Sequence, residues 1–192
     1  MAHRLFTAVS VPVSPTLRKA LGQLHRMAKR VRSVDPGGLH TTLRFLGDVD
    51  EAALPGLIAA MRRVFSRLPP HTLHCRDVGW FSRGVRGAVI WAGLSGTDRL
   101  AAATVSMNGI LEASGFDSVR RPWVPHVTLA RIRGSAPAGL LAFLEAWKEA
   151  DFEAFKVDAV RLVRSELTPA GAVHEDVAIV PLAQDPSQRA CF

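Results

Sequence analysis

His40-Thr41-Thr42-Leu43 recurs 86 residues later as His126-Val127-Thr128-Leu129. On a β-strand, residues i and i+2 share a face. Each copy of this H-x-T-L pattern therefore presents an imidazole and a hydroxyl side by side. Two such pairs facing each other would place two proton-transfer groups and two hydrogen-bond donors around one small space. The same shift extends beyond the motif. The apolar stretch from Leu5 to Val11 maps near Val89 to Leu94, and the helical stretch Thr16 to Val31 maps onto Ala102 to Asp117. Glu51 to Arg67 maps onto Pro137 to Glu153, and Thr72 to Phe81 onto Asp158 to Leu167. The order strand, helix, H-x-T-L strand, helix, strand occurs twice, the mark of a diverged duplication.

Local signals give an α+β chain of two pseudo-symmetric lobes. Ser14-Pro15 opens a first helix, with Ser as the cap and Pro at the first helical position. Leu17, Leu21, Leu24 and Ala28 follow at helical spacing. Asp50 is the expected cap of a second helix. Ser95-Gly96-Thr97-Asp98 starts a third that Gly115 ends, and residues 137–149 form a fourth. Strands are expected at 4–11, 40–46, 72–81, 87–94, 126–132, 155–166 and 173–181. Residues 1–184 read as a single domain with repeat halves 4–82 and 87–168, followed by a flexible polar tail, 185–192.

Strict alternation puts His40, Thr42 and Arg44 on one face of the first motif strand. Thr41, Leu43 and Phe45 go to the other face, toward the helices. In the second copy His126 and Thr128 share the groove face, with Val127 and Leu129 opposite. Arg131 lies five positions after His126. It reaches the face of His126 only through a bulge, a twist or an end of the strand after Leu129.

Composition narrows the class. The 192 residues are 48% hydrophobic, enough to bury a sizeable interior. No run of 18 apolar residues exists, which excludes a membrane-spanning helix. No charged leader with an apolar core and cleavage site opens the chain. The two cysteines, Cys75 and Cys191, are not placed for a structural disulfide, and a reducing cytoplasm is the expected location. The net charge of +7 comes mostly from Arg. It suits a polyanion such as RNA, and equally the Arg and Ala bias of a GC-rich genome. Arg83 and Arg86, in a hairpin loop, and Arg120 and Arg121, just before the second motif, could line one mouth of a groove. His3, His25, His71 and His74 lack the motif context and read as surface or structural residues. No cysteine, histidine or carboxylate spacing of zinc type is present, so no metal or other cofactor is expected.

The blocks Leu39-His40-Thr41-Thr42-Leu43-Arg44-Phe45-Leu46-Gly47-Asp48-Val49 and Arg121-Pro122-Trp123-Val124-Pro125-His126-Val127-Thr128-Leu129-Ala130-Arg131 resemble the two signatures of the 2H phosphoesterases. Within that superfamily they resemble the RNA 2′,3′-cyclic phosphodiesterases, once called 2′-5′ RNA ligases. The opening Arg4-Leu5-Phe6-Thr7-Ala8-Val9 and the segment Ser165-Glu166-Leu167-Thr168-Pro169 also fit, so the resemblance spans roughly residues 4 to 182. It implies antiparallel sheets lining a central groove with helices outside. Two positions depart from the family pattern. Ser33 stands where an aromatic is common, and His174 where an aromatic follows the Thr168-Pro169 turn. The chain also has no Tyr, so the substrate-stacking contacts stay open.

The resemblance implies metal-independent opening of RNA 2′,3′-cyclic phosphate ends to 2′-phosphomonoesters. His126 would be the proton acceptor and His40 the proton donor. Thr42, Thr128 and Arg131 would bind the phosphate. Histidine suits both proton roles because its ordinary pKa lies near neutrality. Phe6 either faces the groove with Ala8 and Ser10 or belongs to the core. Four rival readings share the same residues: cleavage of linear 2′-5′ bonds, opening of small nucleotide cyclic phosphates, action on a small ADP-ribose-type ester, and a non-catalytic RNA-binding module. A monomer acting on RNA, without membrane contact, is expected.

Overall fold

The computed structural model describes residues 2–119, 121–168 and 171–183. Arg120, Pro169, Cys191 and the 185–192 tail therefore lie outside the described residues. The strands are β1 (Ala2–Ser10), β2 (Val31–Ser33), β3 (His40–Asp50), β4 (His71–Ser82), β5 (Gly87–Ser95), β6 (His126–Arg133), β7 (Asp151–Val157), β8 (Ala159–Thr168) and β9 (Gly171–Pro181). The helices are α1 (Pro15–Met27), α2 (Leu54–Phe65), α3 (Asp98–Ala113) and α4 (Leu140–Trp147). Two antiparallel sheets result, ordered β3-β1-β8-β9 and β2-β6-β5-β4-β7.

The repeat is visible in this order. Strands β3-β1-β8 of the first sheet correspond to β6-β5-β4 of the second. The third strand of each set comes from the other half of the chain. One hydrophobic core joins both sheets to all four helices, through Leu17, Leu24, Met61, Phe65, Met107, Leu111 and Trp147 among others. A separate small cluster, Phe6, Ala8 and Val163, lies on the opposite face of the first sheet.

Ser14 caps α1 as its sequence predicts, its Oγ accepting from Leu17 N at 3.2 Å. Other boundaries differ. Asp50 makes no side-chain cap and precedes a short 3-10 turn at Glu51–Ala53. The second helix starts only at Leu54, which puts Pro55 in its first turn, where a missing N–H costs nothing. Helix α4 is shorter than expected because Gly139 enters it at φ 85°. The stretch 155–166 is two strands. The chain crosses from one sheet to the other at Asp158, whose carbonyl accepts from Leu182 N at 2.7 Å.

Candidate active site

Both motif strands carry the same irregularity. In β3, Thr42 pairs with Ala8 and Arg44 with Thr7, so Leu43 is an extra residue. In β6, Thr128 pairs with Trp91 and Ala130 with Ile90, so Leu129 is extra. A bulge puts two successive side chains on one side and inverts the alternation beyond it. Leu43 and Arg44 are both buried, as are Leu129 and Ala130. Beyond the bulges Phe45 and Arg131 emerge on the face of the motif histidines.

This supplies the bulge that Arg131 requires and corrects the expectation for Arg44 and Phe45. Arg44 is 6% exposed on the helix side. It donates to Asn108 Oδ1 at 3.0 Å and to the Asp117 carbonyl at 2.6 Å, tying β3 to the end of α3. Phe45 is 67% exposed on the histidine face.

Each motif histidine is half-buried at the first position of its strand. His40 Nδ1–H donates to the Gly38 carbonyl at 2.7 Å, and His126 Nδ1–H to the Val124 carbonyl at 2.8 Å. A carbonyl only accepts, so the proton of each neutral ring sits on Nδ1 and Nε2 keeps its lone pair. Neither Nε2 has a protein partner among the described residues. His71, also first in its strand, makes the same bond to the Pro69 carbonyl at 3.1 Å. The local bond thus belongs to the strand start, and what sets His40 and His126 apart is the face they share with Thr42 and Thr128. Both hydroxyls are half-buried, and no described residue engages them.

The two faces look at each other. The charges of Arg131 and His126, from the second sheet, act on His40 in the first, and Arg131 acts on His174 at the far edge of the first. Burial holds His40 below the usual histidine range, with His174, Arg131 and His126 adding to the effect against the Gly38 bond. Burial and then Arg131 lower His174 as well. Arg131 is itself lowered by burial and by neighbouring Arg83.

Aromatic rings back both histidines. Phe6 packs against His40 at 5.1 Å, Phe45 at 5.9 Å and His174 at 5.2 Å. Phe6 therefore faces the groove yet is only 3% exposed, as its floor. On the other side Phe81 meets His126 edge-on at 5.2 Å and lies over Trp91 at 5.2 Å. Trp91 in turn covers Gly79, where a Cβ would fall 2.2 Å from the indole.

Reading alternation alone misses Phe45, Phe81 and Trp91. It also misses Arg32, which pairs in register with Arg131. For Phe45 the signal exists: the 86-residue shift maps it onto Arg131, so one bulge moves both. Of the four arginines expected at a mouth, Arg83 lies against Arg131, and Arg86 and Arg121 are exposed. No carboxylate pairs with Arg32, Arg83 or Arg131 among the described residues. His74 instead pairs with Asp151 at 2.7 Å. No group of three or more possible metal ligands occurs among the described residues. No described helix is long and apolar enough to cross a membrane.

The sequence model of the 2′-5′ RNA ligase superfamily matches residues 13–169. An RNA 2′,3′-cyclic phosphodiesterase of Thermus thermophilus is 33% identical over 181 residues, covering 89% of this chain and 86% of its own. One of Methanothermobacter thermautotrophicus is 30% identical over 154 residues, covering 80% and 83%. A crystal structure of a Thermus thermophilus protein superposes with a TM-score of 0.77 at 29% identity, over 93% of this chain and 97% of that one. E. coli LigT complexed with 3′-AMP gives 0.74 at 25% identity, over 96% and 100%. Two bulged H-x-T-L strands facing one groove, in a fold shared along nearly the whole chain, identify this protein as an enzyme of the 2′-5′ RNA ligase superfamily, the 2H phosphoesterases.

Proposed function

We propose that this chain hydrolyses RNA 2′,3′-cyclic phosphodiester ends to 2′-phosphomonoesters. The observation that carries the reading is the pair of imidazoles anchored through Nδ1, each with a free Nε2, on facing strands. The names of its relatives support the same chemistry. His126 Nε2 takes a proton from water as the water oxygen attacks phosphorus. The bond from phosphorus to O3′ breaks, and His40 delivers its proton to O3′. Both roles need an imidazole near neutral pKa. Burial lowers the proton affinity of His40, and the negative phosphodiester draws a proton onto it. Thr42 and Thr128 donate to the non-bridging oxygens, where charge grows in the transition state. Arg131 pairs with the phosphate, and Phe45 offers an open ring for a base to stack on.

Protein donors fill every role in this scheme, so no metal ion enters it. With an RNA 5′-hydroxyl in place of water, the same steps form a 2′-5′ bond, which is ligase activity. We place the enzyme in the cytoplasm, working as a monomer on RNA. The test offers a short RNA ending in a 2′,3′-cyclic phosphate, before and after EDTA treatment, and identifies the product by mass and phosphatase sensitivity. A 2′-phosphomonoester formed equally in both supports the reading. A 3′-phosphate, no turnover, or activity restored only by a divalent ion would overturn it. A nucleoside 2′,3′-cyclic phosphate and a linear 2′-5′ dinucleotide, run in parallel, separate the related activities.

A further inference from the structure

The first sheet ends on β9, and β9 brings a third imidazole to the groove. His174 lies opposite Ser165 of β8. Its ring stands edge-on to His40, with centroids 5.1 Å apart and planes at 79°. Both imidazoles rest on Phe6, at 5.1 Å for His40 and 5.2 Å for His174. Three rings thus form a nearly equilateral cluster. One cannot carry charge, and two can.

His40 has already committed its Nδ1–H to Gly38, so its next proton goes to Nε2. A second proton on His174 would set two positive charges about 5 Å apart over an apolar floor, a repulsion of at least about half a pH unit even in a water-like medium. The surroundings do not relieve it. From β6, Arg131 faces both rings, and His126 acts on His40. On β9, Glu175 and Asp176 follow His174, and Arg164 and Arg161 of β8 already pair with them. Phe6 on β1 is neutral.

We propose that His174 is a positioning residue that acts through His40: the two imidazoles stand so close that a proton on one delays the protonation of the other, and a bound phosphodiester is what lets His40 keep its own. This rests on the reading of His40 as the proton donor. Two consequences follow. His174 protonates first as pH falls, since it is the more exposed ring, and its charge then delays His40. The acid side of the rate profile is therefore set by both rings.

The test is a histidine-resolved NMR titration of the full chain, wild type and two variants. His174→Phe keeps a ring on Phe6 and removes the charge. His174→Lys keeps a charge there across the whole range. The midpoint of His40 should rise by roughly 0.5–1 pH unit in His174→Phe and stay at or below the wild-type value in His174→Lys. The acid limb of kcat/KM on cyclic-phosphate RNA should move in the same directions. Superimposable His40 titrations in the three proteins would overturn the proposal, and so would a shifted titration with an unshifted rate profile. The titration requires no turnover. If His40→Ala kept its activity, the proton-donor reading would fail, while the titrations would still decide whether the charge on one ring governs the other.

Discussion

Trp123 Nε1–H donates to the Thr42 carbonyl at 2.8 Å, joining the segment that enters the second motif to the backbone of the first. Strand β3 is the edge of its sheet, so this carbonyl has no strand partner on its outer side. One side-chain donor from the segment that leads into β6 thus ties the two H-x-T-L strands together. Trp123→Phe keeps the packing and removes the donor. Stability should fall by about 1–2 kcal/mol in urea unfolding, the cost of a lost and partly orphaned hydrogen bond. Turnover should fall about tenfold because the facing groups lose register. Full activity at reduced stability would show that the bond holds the fold without setting the groove.

Replacing either motif histidine by Ala should lower turnover by at least about a hundredfold, the usual scale for one proton-transfer group. Circular dichroism and melting should stay close to wild type, since both rings are only half-buried. Near wild-type rates in either variant would refute the two-histidine scheme.

Anion binding should take up protons. Burial holds His40 and His174 below the usual value of 6.5. An anion bound beside them raises both, so affinity must increase as pH falls toward that range. Sulfate is a suitable probe because it does not titrate there. Calorimetry should show tighter binding at pH 6 than at pH 8, with proton uptake. Without an anion the same shifts act on folding. The unfolded chain binds protons that the folded groove resists, so stability should decline as pH drops below 6.5. Affinity that is flat or rises with pH would exclude this linkage.

Arg32 and Arg131 are cross-strand partners, and Arg83 lies beside Arg131. Like charges placed opposite repel unless an anion lies between them. Arg32→Gln combined with Arg83→Gln should flatten the salt dependence of RNA binding by roughly one unit, since each single-strand phosphate contact contributes about 0.7. The loss should be larger for an oligonucleotide than for a cyclic mononucleotide. An unchanged slope would leave the arginine content to genome composition.

Gly79→Ala puts a methyl where Trp91 lies, 2.2 Å from the ring. The indole must move, and with it Phe81 and the edge contact to His126. Stability should drop by about 1–3 kcal/mol, as for other overpacked sites, and kcat should fall with it. Gly109→Ala in α3 is the control, because nothing lies within 4 Å of its added Cβ. That change should stabilise by roughly 0.5–1 kcal/mol through helix propensity.

The catalytic candidates are legible in the sequence because a histidine and a threonine two residues apart share a strand face, and nothing in the local fold disturbs that. Alternation misplaces Arg44 and Phe45, two and three residues after Thr42. It is a property of a regular ladder, and a bulge is set by how the strand meets its partner, here β1 and β5. The break at Asp158 is hidden for a similar reason. Val157-Asp158-Ala159 carries no Gly or Pro, yet the chain changes sheets there. Strand β2 is three residues long and follows a helix, too short for periodicity to register. His174 stands out in the sequence as a departure from the family pattern, but its contact with His40 depends on β9 lying two strands beyond β1, a long-range pairing.

The exchange of β4 and β8 between the two sheets bears on how such a protein can arise and assemble. Neither half of the chain owns a complete sheet, so neither is a self-sufficient folding unit. A half-length chain with this pattern would complete its sheet only by lending its third strand to a second copy and borrowing one in return. Its active groove would exist only in that swapped pair. Joining two copies end to end turns an encounter between molecules into a loop closure within one, and it frees the two copies to diverge, one keeping an aromatic ring where the other keeps a guanidinium.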